Sequence, residues 1–260
     1  ISIVDQKGKT LKRKRINQFR NNMEDPSIAK IHHLEVRNSE ELLFAQTPMA
    51  ALFPIKDGNA KLPIFGIYNY VKDTVSYLPI YLPEETLIDD ETQGYYGSDA
   101  EHHLLLKNNS IIFNFKFSPS IYRYNLNNNQ LTHFDGKSFR FQKAAVPFPA
   151  NRYNDPKYLV RHTMLSGTHF SNIAYDSDND IYIRFASKTT FDRESNKSNN
   201  ATYIQLFNTD FENIHEELLV IPGKAEVYLQ DGTLHMIGVG DYQKEENKTK
   251  FIKYEVVEDE

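Results

Sequence analysis

The sequence contains no cysteine and no tryptophan, and only 11 of its 260 residues are glycine. The absence of cysteine excludes disulfide scaffolds, cysteine-ligated zinc, iron–sulfur clusters and thiol nucleophiles. No apolar run approaches the roughly 20 residues that a membrane-spanning helix requires, so we expect no transmembrane segment. The 30 basic and 35 acidic residues form no long block of one sign, and nucleic acid is therefore not an expected partner.

Aromatic residues are abundant, with 16 tyrosines and 17 phenylalanines. Together with a hydrophobic content of 40%, they provide for a large buried core and exclude a disordered chain. The length is compatible with one large all-β domain or with two smaller domains.

Two kinds of β-hairpin alternate along the chain. One kind begins near residues 1, 66, 121, 203 and 251, and its strands alternate aromatic and aliphatic residues around a polar turn. The other kind has a tight turn centred near Asn38, Asn108, Asp178 and Asp231. The two kinds together form a unit of four antiparallel strands that repeats every 50 to 70 residues, which is the pattern of β-propeller blades.

We therefore predict an all-β fold, a β-propeller of four-stranded antiparallel blades, with residues 1–260 forming one domain. The chain then contains the last two strands of one blade, three complete blades and three strands of a fifth, about four and a half blades. Because the sequence begins at Ile1 within a predicted strand, we expect it to be N-terminally incomplete and the full ring to have six blades. The alternative is a stack of ordinary antiparallel sheets.

Loop lengths distinguish the two faces of such a propeller. The turns within each hairpin are tight, whereas residues 47–63, 83–101, 135–168 and 187–201 are predicted to be long connections on the opposite face. Segment 187–201 has almost no apolar residues and is predicted to be a flexible loop. Tyrosines beside arginines suit the binding of sugars, peptides or carboxylates, and we predict ligand binding by Tyr95, Tyr96, Arg152, Tyr153, Arg161 and His162. The alternative is that these aromatics pin the loops onto the sheet edges.

Histidine pairs begin two of the predicted inner strands, as His32-His33 and again 70 residues later as His102-His103. Imidazole suits zinc, copper, nickel or iron, and inner strands converge on the central channel of a propeller. A second hypothesis is accordingly a metal site in the channel, although repeated residues in repeated strands also have a simple packing explanation. Its ligands would be His102, His103, His169 and Glu226.

Catalytic motifs are not recognisable. The chain has no G-x-S-x-G, no phosphate-binding glycine loop and no H-E-x-x-H. The aspartates around Asp178 match the first half of a calcium-binding loop, but the residues that follow do not match its second half. We expect no cofactor, and a non-enzymatic protein is favoured without enzymatic activity being excluded.

The segments IAYDSDNDIYIRFAS, YIQLFNTDFENI and SIYRYNLNNNQLTHF resemble the uncharacterised propeller lipoproteins of Bacteroidetes, a domain of unknown function related to six-bladed TolB-like propellers. The resemblance implies a six-bladed propeller, a lipid anchor upstream of Ile1 and a location in the cell envelope. It implies no catalytic residue.

Three functions follow from these observations. The preferred one is a non-enzymatic cell-envelope propeller that binds a protein partner, a glycan or a small molecule on its long-loop face. The alternatives are a metal-dependent hydrolase or lactonase with a channel site, and a structural subunit of an envelope complex.

Overall fold

The computed structural model describes residues 2–4, 10–13, 29–48, 63–83, 94–95, 102–139, 148–149, 155, 168–192, 197–219, 224–230, 233–239 and 250–254. Across these residues the chain forms β-strands, turns and extended segments, with no helix. The chain divides into two compact units, residues 1–101 and 102–260. The all-β prediction is therefore confirmed for the described residues, whereas the prediction of a single domain stays a prediction.

Unit 1 contains one hairpin and one four-stranded sheet. In chain order its strands are β1 (Ser2–Val4), β2 (Thr10–Arg13), β3 (Ala29–Val36), β4 (Glu41–Pro48), β5 (Phe65–Asn69), β6 (Thr74–Tyr77) and β7 (Gly94–Tyr95). β1 pairs with β2, and β3 to β6 form the first sheet in sequential antiparallel order.

Unit 2 contains two larger sheets and a three-stranded sheet. Its strands are β8 (His102–Lys107), β9 (Ser110–Phe115), β10 (Ile121–Asn125), β11 (Gln130–Phe134), β12 (Phe148–Pro149), β13 (Thr168–Phe170), β14 (Ala174–Asp176), β15 (Ile181–Asp192), β16 (Lys197–Phe207), β17 (Asn213–Leu219), β18 (Lys224–Gln230), β19 (Thr233–Val239) and β20 (Lys250–Tyr254). The second sheet has the order β8-β9-β10-β11, and the last three strands pair as β18-β19-β20.

The third sheet has a divided first strand. Both β13 and β14 pair with β15, which then pairs with β16, and β16 with β17. The predicted succession of two strands, three four-strand units and three strands is thus observed, with β13 and β14 sharing one strand position. The tight turns predicted near Asn38, Asn108 and Asp178 lie where they were expected, between β3 and β4, β8 and β9, and β14 and β15. The turn predicted near Asp231 lies outside the described residues.

The prediction of a flexible loop at residues 187–201 is wrong. β15 and β16 remain paired from Tyr182↔Phe207 out to Asp192↔Lys197, so residues 187–192 and 197–201 form an extended antiparallel ribbon, and residues 193–196 lie outside the described residues. Taken alone, the small number of apolar residues in this segment predicts disorder. However, backbone pairing that begins on the buried part of the two strands continues outward through residues of fair strand propensity such as Thr189 and Thr190.

The second and third sheets pack face to face around a common core. Both faces of β9 are covered, because all six of its residues are buried. The core between the sheets contains Ile112, Ile121, Ile173, Tyr182, Phe207 and Phe211. Backbone bonding also crosses between the two sheets, since Phe170 N–H donates to the Lys116 carbonyl at 2.8 Å.

The first sheet shows how a glycine makes room for an aromatic ring. Phe44 on β4 lies opposite Gly66 on β5 and is fully buried, with Tyr77 edge-on to it at 6.0 Å between ring centroids. A Cβ atom at position 66 would lie 2.3 Å from the Phe44 ring. The ring therefore occupies the space that any other residue at position 66 would need.

The histidine pairs are not equivalent in the two sheets. A bulge between Ile31 and His33 leaves His32 out of the β3–β4 register, whereas His102 pairs with Phe115 in a regular ladder. Because a bulge redirects the side chains beside it, residues that match in sequence occupy different positions here.

Candidate functional site

The predicted ligand-binding residues lie almost wholly outside the described residues. Tyr95 belongs to the short strand β7, of which the backbone is described. The others, Tyr96, Arg152, Tyr153, Arg161 and His162, lie outside the described residues. Ligand binding by this group therefore stays a prediction.

Of the predicted metal ligands, His102 has a described environment. It is fully buried on β8, and its ring lies 5.3 Å from the Phe115 ring and 6.3 Å from the Phe113 ring, between centroids. His169 is half-buried on β13, and His103 and Glu226 belong to β8 and β18. Among the side chains that the structure describes, no group of three or more histidines and carboxylates is arranged to hold a metal ion. The metal site also stays a prediction.

A repeated turn closes one end of the sheets. In three turns a tyrosine hydroxyl donates to an Asp or Asn side chain five residues later: Tyr68 to Asp73 at 2.7 Å, Tyr124 to Asn129 at 2.9 Å, and Tyr175 to Asp180 at 2.5 Å. In each turn the residue after the tyrosine is Asn or Asp, and its side-chain oxygen accepts a backbone N–H from within the turn. The shared sequence is Tyr-Asx-x-x-x-Asx, a signal that sequence analysis did not use.

The last residue of each such turn has a left-handed backbone, with φ of 57° at Asp73, 57° at Asn129 and 52° at Asp180. Asn and Asp adopt this conformation more readily than other residues with a side chain. Neighbouring turns are also joined, since Leu126 N–H donates to the Asn109 carbonyl and Tyr70 N–H to the Glu40 carbonyl. Backbone hydrogen bonds thus connect neighbouring turns within the first sheet and within the second.

We expect Asn129→Gly to lower the free energy of unfolding by about 1 kcal/mol, because glycine accepts the left-handed backbone but loses the bond to Tyr124. Asn129→Ala should cost about 2–3 kcal/mol, since it adds the strain of φ near +57°. Urea unfolding of both variants measures the difference. Equal costs would show that the backbone conformation contributes nothing.

A cation joins the turn ends of the second and third sheets. Lys107 Nζ lies 3.0 Å from the centroid of the Tyr175 ring and 3.3 Å from Asp180 Oδ1. Burial alone would lower the pKa of Lys107, but its bonds to Tyr175 and Asp180 raise it above the ordinary value. The hydrogen bonds from Tyr175 and Lys107 in turn lower the pKa of Asp180. This cluster connects two sheets through solvent-accessible groups.

Arg184 is a buried cation between the same two sheets. It lies on β15 with none of its surface exposed, and its guanidinium carbon is 4.5 Å from the Phe170 ring centroid and 5.1 Å from that of Phe207. Nη1 donates to the Pro119 carbonyl at 2.7 Å, and Nη2 donates to the Gly136 carbonyl. Both carbonyls belong to the segments that flank β10 and β11 in the second sheet.

The third guanidinium nitrogen, Nε, is linked through the Gln205 side chain to the Glu216 carboxylate. Arg184 Nε donates to Gln205 Oε1 at 3.1 Å, and Gln205 Nε2 donates to Glu216 Oε2 at 3.2 Å. Burial lowers the pKa of Arg184 to about 9, opposed by the negative charge of Glu216, so the side chain is cationic at neutral pH. Each of its three nitrogens donates a hydrogen bond within the protein and it has no exposed surface, so Arg184 joins the two sheets.

Sequence analysis did not single out Arg184. The residue stands in IYIRF, where alternation places Tyr182 and Arg184 on one face, and the structure buries five successive residues, 182 to 186. The sequence signal for a buried cation was an arginine placed between a β-branched and an aromatic residue, Ile183 and Phe185. The carbonyl acceptors from another sheet could not be identified from sequence.

These features define the class of protein: an all-β chain of consecutive antiparallel meander sheets, the first three each with a Tyr–Asx turn, in which a buried arginine joins the second and third sheets. The chain belongs to the family of the domain of unknown function DUF4221, whose family model matches residues 1–218. A search of curated proteins finds no match.

A solved structure supports the fold. The crystal structure of a DUF4221 family member from Bacteroides vulgatus is similar to this chain, with a TM-score of 0.63 and 17% sequence identity. The similarity covers 88% of this chain and 65% of that chain, so the present chain spans about 65% of the length of that relative. In the residues that the structure describes, no helix has the length and apolar character needed to cross a membrane.

Proposed function

We propose that the protein is a β-propeller of the cell envelope, six-bladed when the ring is complete, that binds a protein or glycan partner without enzymatic activity. The three sheets with sequential strand order correspond to its blades. The packing of the second and third sheets supports this, since their equivalent turns meet at Lys107 and Asp180 and a common core lies between them. An envelope location and a lipid anchor are proposed from the resemblance to propeller lipoproteins.

The observation that carries the binding proposal is the difference between the two ends of the sheets. At the end with tight turns, the side chains of Asn69, Asn125, Asp176 and Asn208 bond to the backbone of their own turns. These four side chains are therefore engaged in holding their own turns. Three connections at the opposite end are much longer: residues 49–64 between β4 and β5, 78–101 between β6 and β8, and 135–167 between β11 and β13.

Recognition is therefore proposed at the long connections, with Tyr95, Tyr96, Arg152, Tyr153, Arg161 and His162 as the binding residues. Tyrosine and arginine are among the side chains that most often carry the binding energy at protein interfaces. Tyrosine rings also stack on sugars, and arginine forms paired hydrogen bonds with carboxylates.

Two variants of the full-length protein test this proposal. We expect Arg161→Ala and Tyr153→Ala to weaken binding about 10-fold or more, measured on a glycan array and by cross-linking to envelope proteins with identification by mass spectrometry. Thermal unfolding should change little. Arg37→Ala is the matched control, because Arg37 lies at the tight-turn end and bonds to Glu41 at 2.9 Å.

Other outcomes would contradict the proposal. Loss of stability in parallel with loss of binding would make Arg161 and Tyr153 structural residues. A stoichiometric metal ion in the purified full-length protein would favour the hydrolase or lactonase alternative instead, and a stable protein complex that is insensitive to both substitutions would favour a structural subunit.

A further inference from the structure

The segment that follows β11, residues 136–139, lies against β17 of the neighbouring sheet. Ser138 Oγ donates to Glu216 Oε1 at 2.7 Å, and the Phe139 N–H donates to Glu216 Oε2 at 3.1 Å. Asn213 Nδ2 donates to the Lys137 carbonyl at 3.2 Å. The Phe139 side chain is 64% exposed, so polar bonds and not burial of the phenyl ring hold the end of this segment.

Both ends of the segment belong to one network. Gly136, its first residue, accepts from Arg184, which is linked through Gln205 to Glu216. Glu216 in turn binds Ser138 and Phe139 at the other end. Hydrogen bonds thus hold residues 136–139 at both ends. Several of these bonds have a charged donor or acceptor, and such bonds are stronger than bonds between neutral groups.

The third sheet does not depend on the Glu216 carboxylate for its pairing. β17 is joined to β16 by a backbone ladder from Thr202↔Leu219 to Phe207↔Asn213. The two carboxylate oxygens instead accept hydrogen bonds from Ser138 and Phe139, which lie in the segment that follows the last strand of the second sheet. They also accept from Gln205 and Asn213 of the third sheet. The position of the carboxylate is therefore explained by the segment that it holds.

We propose that Glu216 is a positioning residue, a clasp that fixes residues 136–139 on the third sheet so that the following connection begins from a fixed point. That connection contains Arg152, Tyr153, Arg161 and His162. The clasp is inferred from the hydrogen bonds of Glu216, whereas its consequence for partner binding rests on the proposed function.

Native-state proteolysis with trypsin tests the clasp without any ligand, because Lys137 and Arg140 are cleavage sites at its end. In the full-length protein, Glu216→Gln should raise cleavage after Lys137 and Arg140 about 10-fold or more, since glutamine has one acceptor oxygen in place of two and lacks the negative charge that strengthens the bonds to Phe139 and Ser138. Amide exchange of residues 136–139 should rise in parallel, with exchange in β15 and β16 unchanged.

Ser138→Ala is the second variant, because it removes one bond and keeps the negative charge beside Arg184. We expect it to raise cleavage several-fold, less than Glu216→Gln. Unchanged cleavage and exchange in both variants would overturn the clasp. An equal rise in exchange throughout β15 to β17 would also overturn it, since Glu216 would then support the whole sheet.

The clasp and the proposed function fail in distinguishable ways. If Arg161→Ala binds the cross-linked partner or array glycan like the unmodified protein, the proposed function fails while the proteolysis result stands. If Arg161→Ala weakens binding but Glu216→Gln leaves it unchanged despite faster cleavage, the positioning role is overturned.

Discussion

Replacing Arg184 by methionine should lower the free energy of unfolding by about 3–5 kcal/mol, the range found when one partner of a buried charged network is removed. Methionine fills much of the space between Phe170 and Phe207 but donates no hydrogen bond. The carbonyls of Pro119 and Gly136 and the amide oxygen of Gln205 would then be buried without the donors that they have now. Each such loss is costly in a dry interior.

Equilibrium unfolding in urea measures this effect. Arg184→Lys should fall between the unmodified protein and Arg184→Met, because lysine keeps the charge but lacks the planar fork that reaches three acceptors. Lys188→Met, an exposed position on the same strand, is the control and should change stability by less than about 0.5 kcal/mol. A cost for Arg184→Met no larger than that of the control would refute the structural role of Arg184.

The pH dependence of the Arg184→Met effect has a definite sign. Burial lowers the pKa of Arg184 from its ordinary value to about 9 in the folded protein, so above about pH 9 the native state releases a proton that the unfolded chain still holds. The contribution of this group to the free energy of unfolding is therefore constant below about pH 8 and rises with pH from about 9 up to the pKa of arginine in the unfolded chain. The difference between the unmodified protein and Arg184→Met should follow the same course.

Gly136→Ala is expected to have the second largest effect, a loss of about 3 kcal/mol at the upper end of the range for overpacking. A Cβ atom there would lie 2.5 Å from the Pro119 carbonyl oxygen and 2.9 Å from the Ile121 side chain. Relief requires backbone movement, and both Pro119 and Gly136 carbonyls are acceptors for Arg184. The substitution therefore disturbs the packing and the arginine network together.

The adjacent substitution Lys137→Ala is the control for Gly136→Ala, since Lys137 is half exposed and pairs with Asp135 at the surface. We expect it to cost less than about 1 kcal/mol. Combining Gly136→Ala with Arg184→Met should cost clearly less than the two separate losses added together, because both act on the same contacts. Full additivity would indicate that the two residues act independently.

The repeated turns show how far local sequence determines structure here. Asn69, Asn125 and Asp176 bond within their own turns, so their positions follow from nearest-neighbour chemistry and were predictable to within a residue or two. The ribbon formed by β15 and β16 was not, because residues 187–201 have little apolar character and their pairing is propagated from the buried part of the strands. The different registers of His32 and His102 likewise depend on a bulge that residue identity does not reveal.

By itself the sequence determined the all-β class, the four-strand repeat, the strand order and the places of the tight turns, since these depend on two-residue periodicity and on Asx residues acting over a few positions. Only the tertiary structure decided that Arg184 and Glu216 hold the chain between two sheets. Their partners at Pro119, Gly136 and Ser138 lie 48 to 78 residues away in sequence, at distances over which no local pattern specifies contact. A buried charge is stable only where distant groups satisfy it, and that arrangement exists only in the folded chain.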